Sequence, residues 1–471
     1  MINYSDIFEK AFQDFGVPSI SAAIYDRGEI GYYNYGIADD RNGMPPTEHT
    51  RYMIGSTSKS FVAAAINILA EEGKLSLDDR VLDILPDFRF FSEEMDKHVT
   101  VRKILSHQTG LPRHDGSWVN NFQLTLQEMV HNIRYLEPAY AVSERFHYQN
   151  HMYALASLII EKVSGMPWTE FVSRRILEPL KMEDTLVGTA SFGCDSSFAR
   201  PYMMQNGKNV PCPIWPSDNM GGAANIISTA EDTLKWMVCN LHKGENVFGA
   251  DADRELHSVQ MPIREYEMYP YPMGDLDISS SGYGMGWFIE QFRGVTLITH
   301  GGTVMGFKSA CGYLPEHDFA FAIFSDLERT QSVNAAQFAA VTRRLGLEER
   351  DYTSMVNAAQ KKAEERSQEQ LDALLKSITG VYSDPAAVGE YAHPAYGKVK
   401  ITCEDGDLRF QMIGFSMVVK ETAMGIKLVD ATEAAGMIVP MQPVAEDGKI
   451  VALDIMIEPE IKHYVRFNRM N

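Results

Sequence analysis

The stretch "MIGSTSKSFVAAAINILAEEGKL", Met53 to Leu75, sets Ser56 three residues before Lys59 at the head of a long apolar-periodic run. Residues three apart on a helix share a face, which puts the Lys59 amine beside the Ser56 hydroxyl. A helix N-terminus carries partial positive charge and free backbone amides, and both stabilise the oxyanion formed when a serine there attacks a carbonyl. The same dipole, together with desolvation, disfavours the ammonium form of Lys59 and turns its amine into a usable base. A plainer reading fits the same position: Ser56 as an N-cap whose hydroxyl accepts a backbone N–H. Ser-x-x-Lys occurs once in the chain, but so short a pair arises by chance, and only its partners separate the two readings.

Two later stretches supply partners. "ERFHYQNHMYALASLII" brings Tyr148 and Asn150 to the start of a helix, a phenol able to relay a proton and an amide able to hold a substrate carbonyl. "LITHGGTVMGF" places His300, Gly301 and Gly302 at a strand end, where glycines let a substrate backbone come close. The bland alternative for His300 is an imidazole hydrogen-bonded to backbone. Tyr32-Tyr33-Asn34 repeats the Tyr-x-Asn pattern but lies ahead of the nucleophile among alternating sheet tyrosines. Ser217-Asp218-Asn219 is a sharper rival, yet it runs straight into Gly221-Gly222 instead of opening a helix as Tyr148 does. His147 and His151 are spaced for one helix face, but no third ligand is evident and no metal is expected.

Positioning these residues requires both sheet and helix. "MINYSDIFEKAFQDFG" reads as an amphipathic helix, and "VPSISAAIYDRGEIGYYNYG" as a hairpin around Asp26-Arg27-Gly28. Helical spacing follows at Phe61, Ala65, Ile68 and Leu69 up to Gly73, and again from Tyr153 through Val163 to Gly165. Strand signals return in "GYGMGWFIE", "VTLITHGG", "FKSACGYLP" and "FAFAIFSD", before the helical "VNAAQFAAVTRRLG". Strands at both ends of a helical centre imply an α+β fold, one antiparallel sheet with helices packed on it. That domain spans 1–346. A polar, charged helix over 347–376 reads as a solvated linker, and 377–471 as a small all-β barrel or sandwich.

The bulk numbers narrow the function. With 43 Lys and Arg against 63 Asp and Glu, the net charge of −20 repels phosphate backbones and anionic membrane surfaces, so nucleic acid is not an expected partner. No apolar window approaches the roughly eighteen residues that span a bilayer, and the amino terminus lacks a signal peptide's basic start and apolar core. A cytoplasmic protein is the expectation. Cys194, Cys212, Cys239, Cys311 and Cys403 are odd in number and far apart, which suits reduced thiols better than disulfides or zinc.

With Ser-x-x-Lys, Tyr-x-Asn and His-x-Gly in that order, the chain resembles the serine β-lactamase and penicillin-binding protein superfamily, in the branch of class C β-lactamases, D-aminopeptidases and related esterases. "VRKILSHQTGLPRHD", "NMGGAANIISTAEDTLKWM" and "GYGMGW" also look like that branch, over about residues 5 to 345. The resemblance implies a β-lactamase/transpeptidase-like fold with a helical subdomain. It further implies that Ser56 is acylated, Lys59 shares its proton, Tyr148 serves the attacking and leaving groups, and Asn150 binds a substrate carbonyl. His300 would flank the cleft beside Gly301 and Gly302, and the amides of Ser56 and Thr303 would form the oxyanion hole. No cofactor is implied, and the substrate would be a small molecule or short peptide. Lys-Thr-Gly is absent, and a histidine is a poorer carboxylate partner than lysine near neutral pH, so an esterase or peptidase is expected ahead of a β-lactamase or D-Ala-D-Ala carboxypeptidase. A non-catalytic binding or sensor protein is the third alternative.

Overall fold

The computed structural model describes residues 2–470 except 191, 194, 206, 269–272, 405, 413–414, 424 and 431–437. Its opening helix α1 (Ser5–Phe15) ends at Gly16 in the left-handed region and leads into the hairpin β1 (Ser19–Asp26) and β2 (Glu29–Gly36). Helix α2 (Ser58–Glu71) follows the Ser56 turn, α3 (His151–Ser164) ends at left-handed Gly165, and α4 (Ala230–Leu241) starts from the Thr229 side-chain cap. Then come β3 (Met261–Ile263), β4 (Ile278–Tyr283), β5 (Phe288–Phe292), β6 (Val295–Val304), β7 (Phe307–Leu314), β8 (Phe319–Ser325) and helix α5 (Ser332–Arg344).

These strands form one antiparallel sheet in the order β2-β1-β8-β7-β6-β5-β4-β3, so the two ends of the first domain meet where β1 pairs with β8. Strand β8 shows why the sheet is covered on both faces. Side chains alternate faces along a strand, and all seven residues of "FAFAIFS" are buried. Phe319, Phe321 and Ile323 enter the core beneath α1 and α5, while Ala320, Ala322 and Phe324 enter the core that contains α2 and α4. Each large apolar side chain so buried contributes about 1.5–3 kcal/mol.

Three expectations change in detail. Helix α2 is buried all round from Ser58 to Leu69, so it is a central core helix and not one with a single apolar face. "GYGMGWFIE" is not one strand: β4 stops at Tyr283, and a turn separates it from β5. The linker is only partly solvated. Helix α6 (Tyr352–Ser377) buries Tyr352, Val356 and Ala359 in the α1/α5 core, with the Tyr352 and Phe338 rings 5.7 Å apart.

Beyond α6 lie β9 (Ile378–Val381), β10 (Gly389–His393), β11 (Gly397–Glu404), β12 (Asp407–Met412), β13 (Phe415–Thr422), β14 (Gly425–Asp430), β15 (Ile438–Glu446), β16 (Lys449–Ile455) and β17 (Val465–Arg469). Their order β13-β12-β11-β10-β17-β16-β15-β14 closes on itself through the β13–β14 pairing, and β9 adds to the end of β13. Closure leaves an eight-stranded barrel without the open edges that a sandwich of this size would have. Among the described residues no helix is long and apolar enough to cross a membrane.

Candidate active site

Ser56 lies in a single 3-10 turn, Gly55–Thr57, that runs directly into α2. No side-chain cap bond is made at either helix start, so the hydroxyl is not used as an N-cap. Strand β6 presses against this turn. A Cβ on Gly55, whose φ is +55°, would sit 3.0 Å from Thr303 N, and one on Gly302 would sit 2.0 Å from Ile54 O and 2.8 Å from Ser56 N. Two glycines are needed for turn and strand to approach this closely. The contact is cross-braced by Ser309 Oγ donating to Ile54 O (2.8 Å) and Thr57 Oγ1 donating to His300 O (3.2 Å).

Lys59, one turn along α2, is fully buried. Its Nζ lies 3.0 Å from Ser56 Oγ, 2.8 Å from Asn150 Oδ1 and 2.7 Å from Ala223 O. It also sits 4.9 Å from the Tyr148 ring centroid and 5.5 Å from that of Tyr153. Burial holds its pKa well below the ordinary lysine value, the Arg113 cation lowers it further, and Asp115 opposes both. A neutral amine fits the geometry: two N–H bonds go to Asn150 and Ala223, and the lone pair takes the Ser56 proton. Once protonated, the third N–H has Ser56 Oγ as acceptor. The Tyr148 phenol is held in its neutral form by burial, against the opposing pull of its hydrogen bond to Ser56 and of Arg113.

Asn150 has a task beyond the one expected of it. Its Oδ1 accepts from Lys59 and its Nδ2 donates to Asp115 Oδ1 at 3.3 Å, so it orients the lysine, and because an amide nitrogen carries two N–H donors this arrangement is compatible with its also binding a substrate carbonyl. His300 is also committed, with Nδ1 2.7 Å from Gly301 O and Nε2 3.0 Å from the Tyr283 hydroxyl. Burial is the main cause that lowers its pKa to about 3, with a smaller lowering from the neighbouring Lys59, so near neutral pH it is an uncharged wall residue. A cavity of about 230 Å³ opens on Ser56 and is lined also by Tyr148, His300, Thr303, Arg113 and Lys308. A larger cleft of about 300 Å³ between α1 and α5 is lined by surface ion pairs such as Arg343 with Asp6, not by the paired serine and lysine.

The rival motifs serve structure. Asp218 accepts from Thr189 N and Oγ1, Asn219 donates to Asn121 O, and Tyr33 stacks on Phe8. His147 faces Glu460, and His151 bonds Ser117 and Gln149. Among the described residues no cluster of three or more His, Cys, Asp or Glu could hold a metal ion. Several site residues escaped the sequence reading: the Ala223 carbonyl, Arg113, Asp115 and Lys308. Lys308 had a usable signal. The tight Met305-Gly306 loop sets Thr303 opposite Lys308, and the lysine Nζ lies 2.8 Å from Thr303 Oγ1.

Burial of histidine predicts acid sensitivity. His300 and His151 are lowered to about 3 and His114 to about 4, mainly by desolvation. The unfolded chain binds these protons near pH 6.5 and the folded chain does not, so stability is lost as pH falls below about 6.5. At pH 5 each should cost about 2 kcal/mol, and calorimetry should show a Tm several degrees below that at pH 7.5. An equal Tm at the two pH values would contradict this protonation scheme.

Comparison with known proteins agrees with the geometry. The chain is 25% identical over 350 residues to an unguisins hydrolase, ungD', of Aspergillus campestris (strain IBT 28561), covering 72% of this chain and 64% of that protein's length. It superimposes on the octameric penicillin-binding protein homologue of Pyrococcus abyssi with a TM-score of 0.65 at 22% identity, covering 98% of both chains. The D-amino acid amidase of Ochrobactrum anthropi SV3 matches with a TM-score of 0.62 at 23% identity, over 73% of this chain and 97% of that one. The fold is therefore the β-lactamase/transpeptidase-like one. The family model described as Beta-lactamase matches residues 5–343, and the chain belongs to that family.

Proposed function

We propose that the protein is a serine hydrolase that opens an ester or amide bond in a small substrate through an acyl-enzyme on Ser56. The observation that carries this reading is the buried Lys59 amine, held by Asn150 and Ala223 and aimed at Ser56 Oγ. Ser56 Oγ attacks the carbonyl carbon as its proton passes to Lys59, and the oxyanion is received by the backbone N–H groups of Ser56 and Thr303. Tyr148 gives its proton to the departing amine or alcohol and recovers one from Lys59. Water then attacks the acyl carbon, its proton returning through Tyr148 and Lys59 to Ser56 Oγ as the acid leaves. The buried free thiols of Cys212, Cys239 and Cys311 support a reducing, cytoplasmic setting; Cys194 lies outside the described residues.

A second reading, a β-lactamase or D-Ala-D-Ala carboxypeptidase, draws on Lys308. It and Arg113 bring two cations to a cavity whose His300 is neutral, a substitute for the missing motif lysine as a carboxylate partner. Glu290 lines the same cavity. The discriminating experiment is fluorophosphonate labelling of wild type and Ser56→Ala, the adduct located by peptide mass, followed by p-nitrophenyl esters, D-amino-acid amides and penicillin. Label on Ser56 with ester or amide turnover is expected. Penicillin acylation without either would move the protein to the second reading, and an unlabelled wild type would favour a binding protein.

A further inference from the structure

We propose that the C-terminal barrel is a working part of the catalytic centre: Glu458 and Tyr396 clamp His114, and thereby hold its neighbours Arg113 and Asp115 against the Ser56–Lys59 pair. Glu458 and Tyr396 are positioning residues that touch no substrate. The proposal rests on the hydrolase reading for its effect on rate, though not for its effect on Lys59.

His114 is 1% exposed and sits in the left-handed region at φ +48°, a conformation that costs a non-glycine residue about 1–2 kcal/mol and persists where the surroundings fix it. All its polar groups are engaged. Its N–H donates to Glu458 Oε2 at 2.8 Å, Nδ1 lies 2.5 Å from the Tyr396 hydroxyl, and Nε2 lies 2.9 Å from Glu137 O. Two of these three partners come from the barrel. The contact continues along the next turn, where Asn120 Nδ2 donates to Tyr396 O and Lys398 O, and Asn121 Nδ2 to Ala395 O. Gly397, at φ +75°, is needed here, since a Cβ would lie 2.4 Å from Asn121 Oδ1.

The residues on either side of His114 point the other way. Arg113 lines the cavity with its guanidinium 5.4 Å from the Tyr148 ring centroid. Asp115 accepts from Arg113 Nε (2.6 Å), Trp118 Nε1 (2.9 Å) and Asn150 Nδ2 (3.3 Å), and Asn150 Oδ1 in turn holds Lys59. A tripeptide therefore alternates, outer residues in the site and middle residue in the barrel. On the far side of Tyr148, His147 Nε2 lies 3.3 Å from Glu460 Oε2, a second barrel contact one residue from the phenol.

Lys59 is faced by the Tyr148 and Tyr153 rings, Ser56, Asn150 and Ala223, by the charges of Arg113 and Asp115, and by the imidazoles of His107 and His300. Loosening the tripeptide admits water and withdraws the Arg113 cation, both of which favour the ammonium. Withdrawal of Asp115 opposes them. Burial is the largest influence on Lys59, so the net effect is a more basic, more protonated lysine and a weaker base at neutral pH.

The test uses the full-length chain as wild type, Glu458→Gln, Tyr396→Phe and the double variant Glu458→Ala/Tyr396→Phe, each with a measured Tm. Lys59 is titrated by NMR of [ε-13C]lysine protein, assigned by the signal missing from Lys59→Met, and Ser56 reactivity is read as the rate of fluorophosphonate labelling. The double variant should raise the Lys59 midpoint by about one pH unit and slow labelling at pH 7 about tenfold. Glu458→Gln, which keeps an acceptor for the His114 N–H, should stay within about threefold of wild type. A Lys59 midpoint and labelling rate unchanged in the double variant would overturn the proposal. Slower labelling with an unmoved midpoint would overturn it too, leaving the barrel a purely structural support. Should the double variant fail to fold, Tyr396→Phe is read by the same two criteria. An unlabelled wild type would defeat the hydrolase reading alone, because the midpoint still reports the clamp.

Discussion

Lys59→Met is expected to lower kcat by about a thousandfold or more while leaving KM within a few fold. Methionine fills similar volume without bringing a charge into a site that is fully buried. What is lost is the acceptor for the Ser56 proton, since among the described residues the other group hydrogen-bonded to Ser56 Oγ is the Tyr148 phenol, which burial keeps neutral. The wild-type lysine has a depressed folded pKa, so activity should rise with pH through that pKa, and this acid limb should vanish in the variant. Stability follows the same sign. The folded chain loses stability as pH falls below the unfolded lysine value of about 10.4, a penalty methionine removes. Against that gain, Asn150 Oδ1 and Ala223 O lose their donor, at about 1–3 kcal/mol each, so the Tm should move little. A variant that keeps the acid limb, or loses less than about tenfold in kcat, would remove Lys59 from the proton path.

Gly302→Ala is expected to lower kcat by about a hundredfold or more, with a far smaller loss of stability than of activity. The added methyl would meet Ile54 O at 2.0 Å, Ser309 Oγ at 2.8 Å and Ser56 N at 2.8 Å, contacts that real side chains do not make. Two of these three atoms belong to the nucleophile's own turn or the residue before it, so relief requires β6 to move away from Ser56. That motion separates the Ser56 and Thr303 N–H groups, and loss of one such donor is worth about 10²–10³ in rate. Gly301, one residue earlier and exposed, meets only Ser309 O at 3.0 Å and serves as control. Gly301→Ala should cost about tenfold less than Gly302→Ala. Equal effects at the two positions would mean that the strand, not the oxyanion site, is what the substitutions disturb.

Much of this protein was legible in order along the chain. Helix α1, the first hairpin, α2, α3 and strands β6 to β8 announce themselves because apolar periodicity and terminating glycines are local signals. Ser56 and Lys59 were legible for the same reason: three residues on one helix fix their relation whatever the rest of the chain does. The glycines of the His300 motif were legible as a place of close approach, although not what approaches.

What the sequence could not settle is who partners whom across long separations. Asn150 was legible as an amide able to hold a substrate carbonyl, but not as the residue that orients the lysine: folding delivers Lys59 to its carbonyl and Asp115 to one N–H of its amino group. The Ala223 carbonyl carries no side-chain signature at all, and only the packing of its glycine-rich segment beside α2 makes it a ligand of the lysine. Lys308 becomes a cavity residue through strand register, and Glu458 reaches His114 across more than three hundred residues of chain. Sequence by itself determined the reactive groups and the elements that carry them, because those depend on neighbours one turn or one pleat away. Tertiary structure alone decided their charge states and spare hydrogen-bonding capacity, because desolvation and partner choice depend on what the remote chain packs around each group.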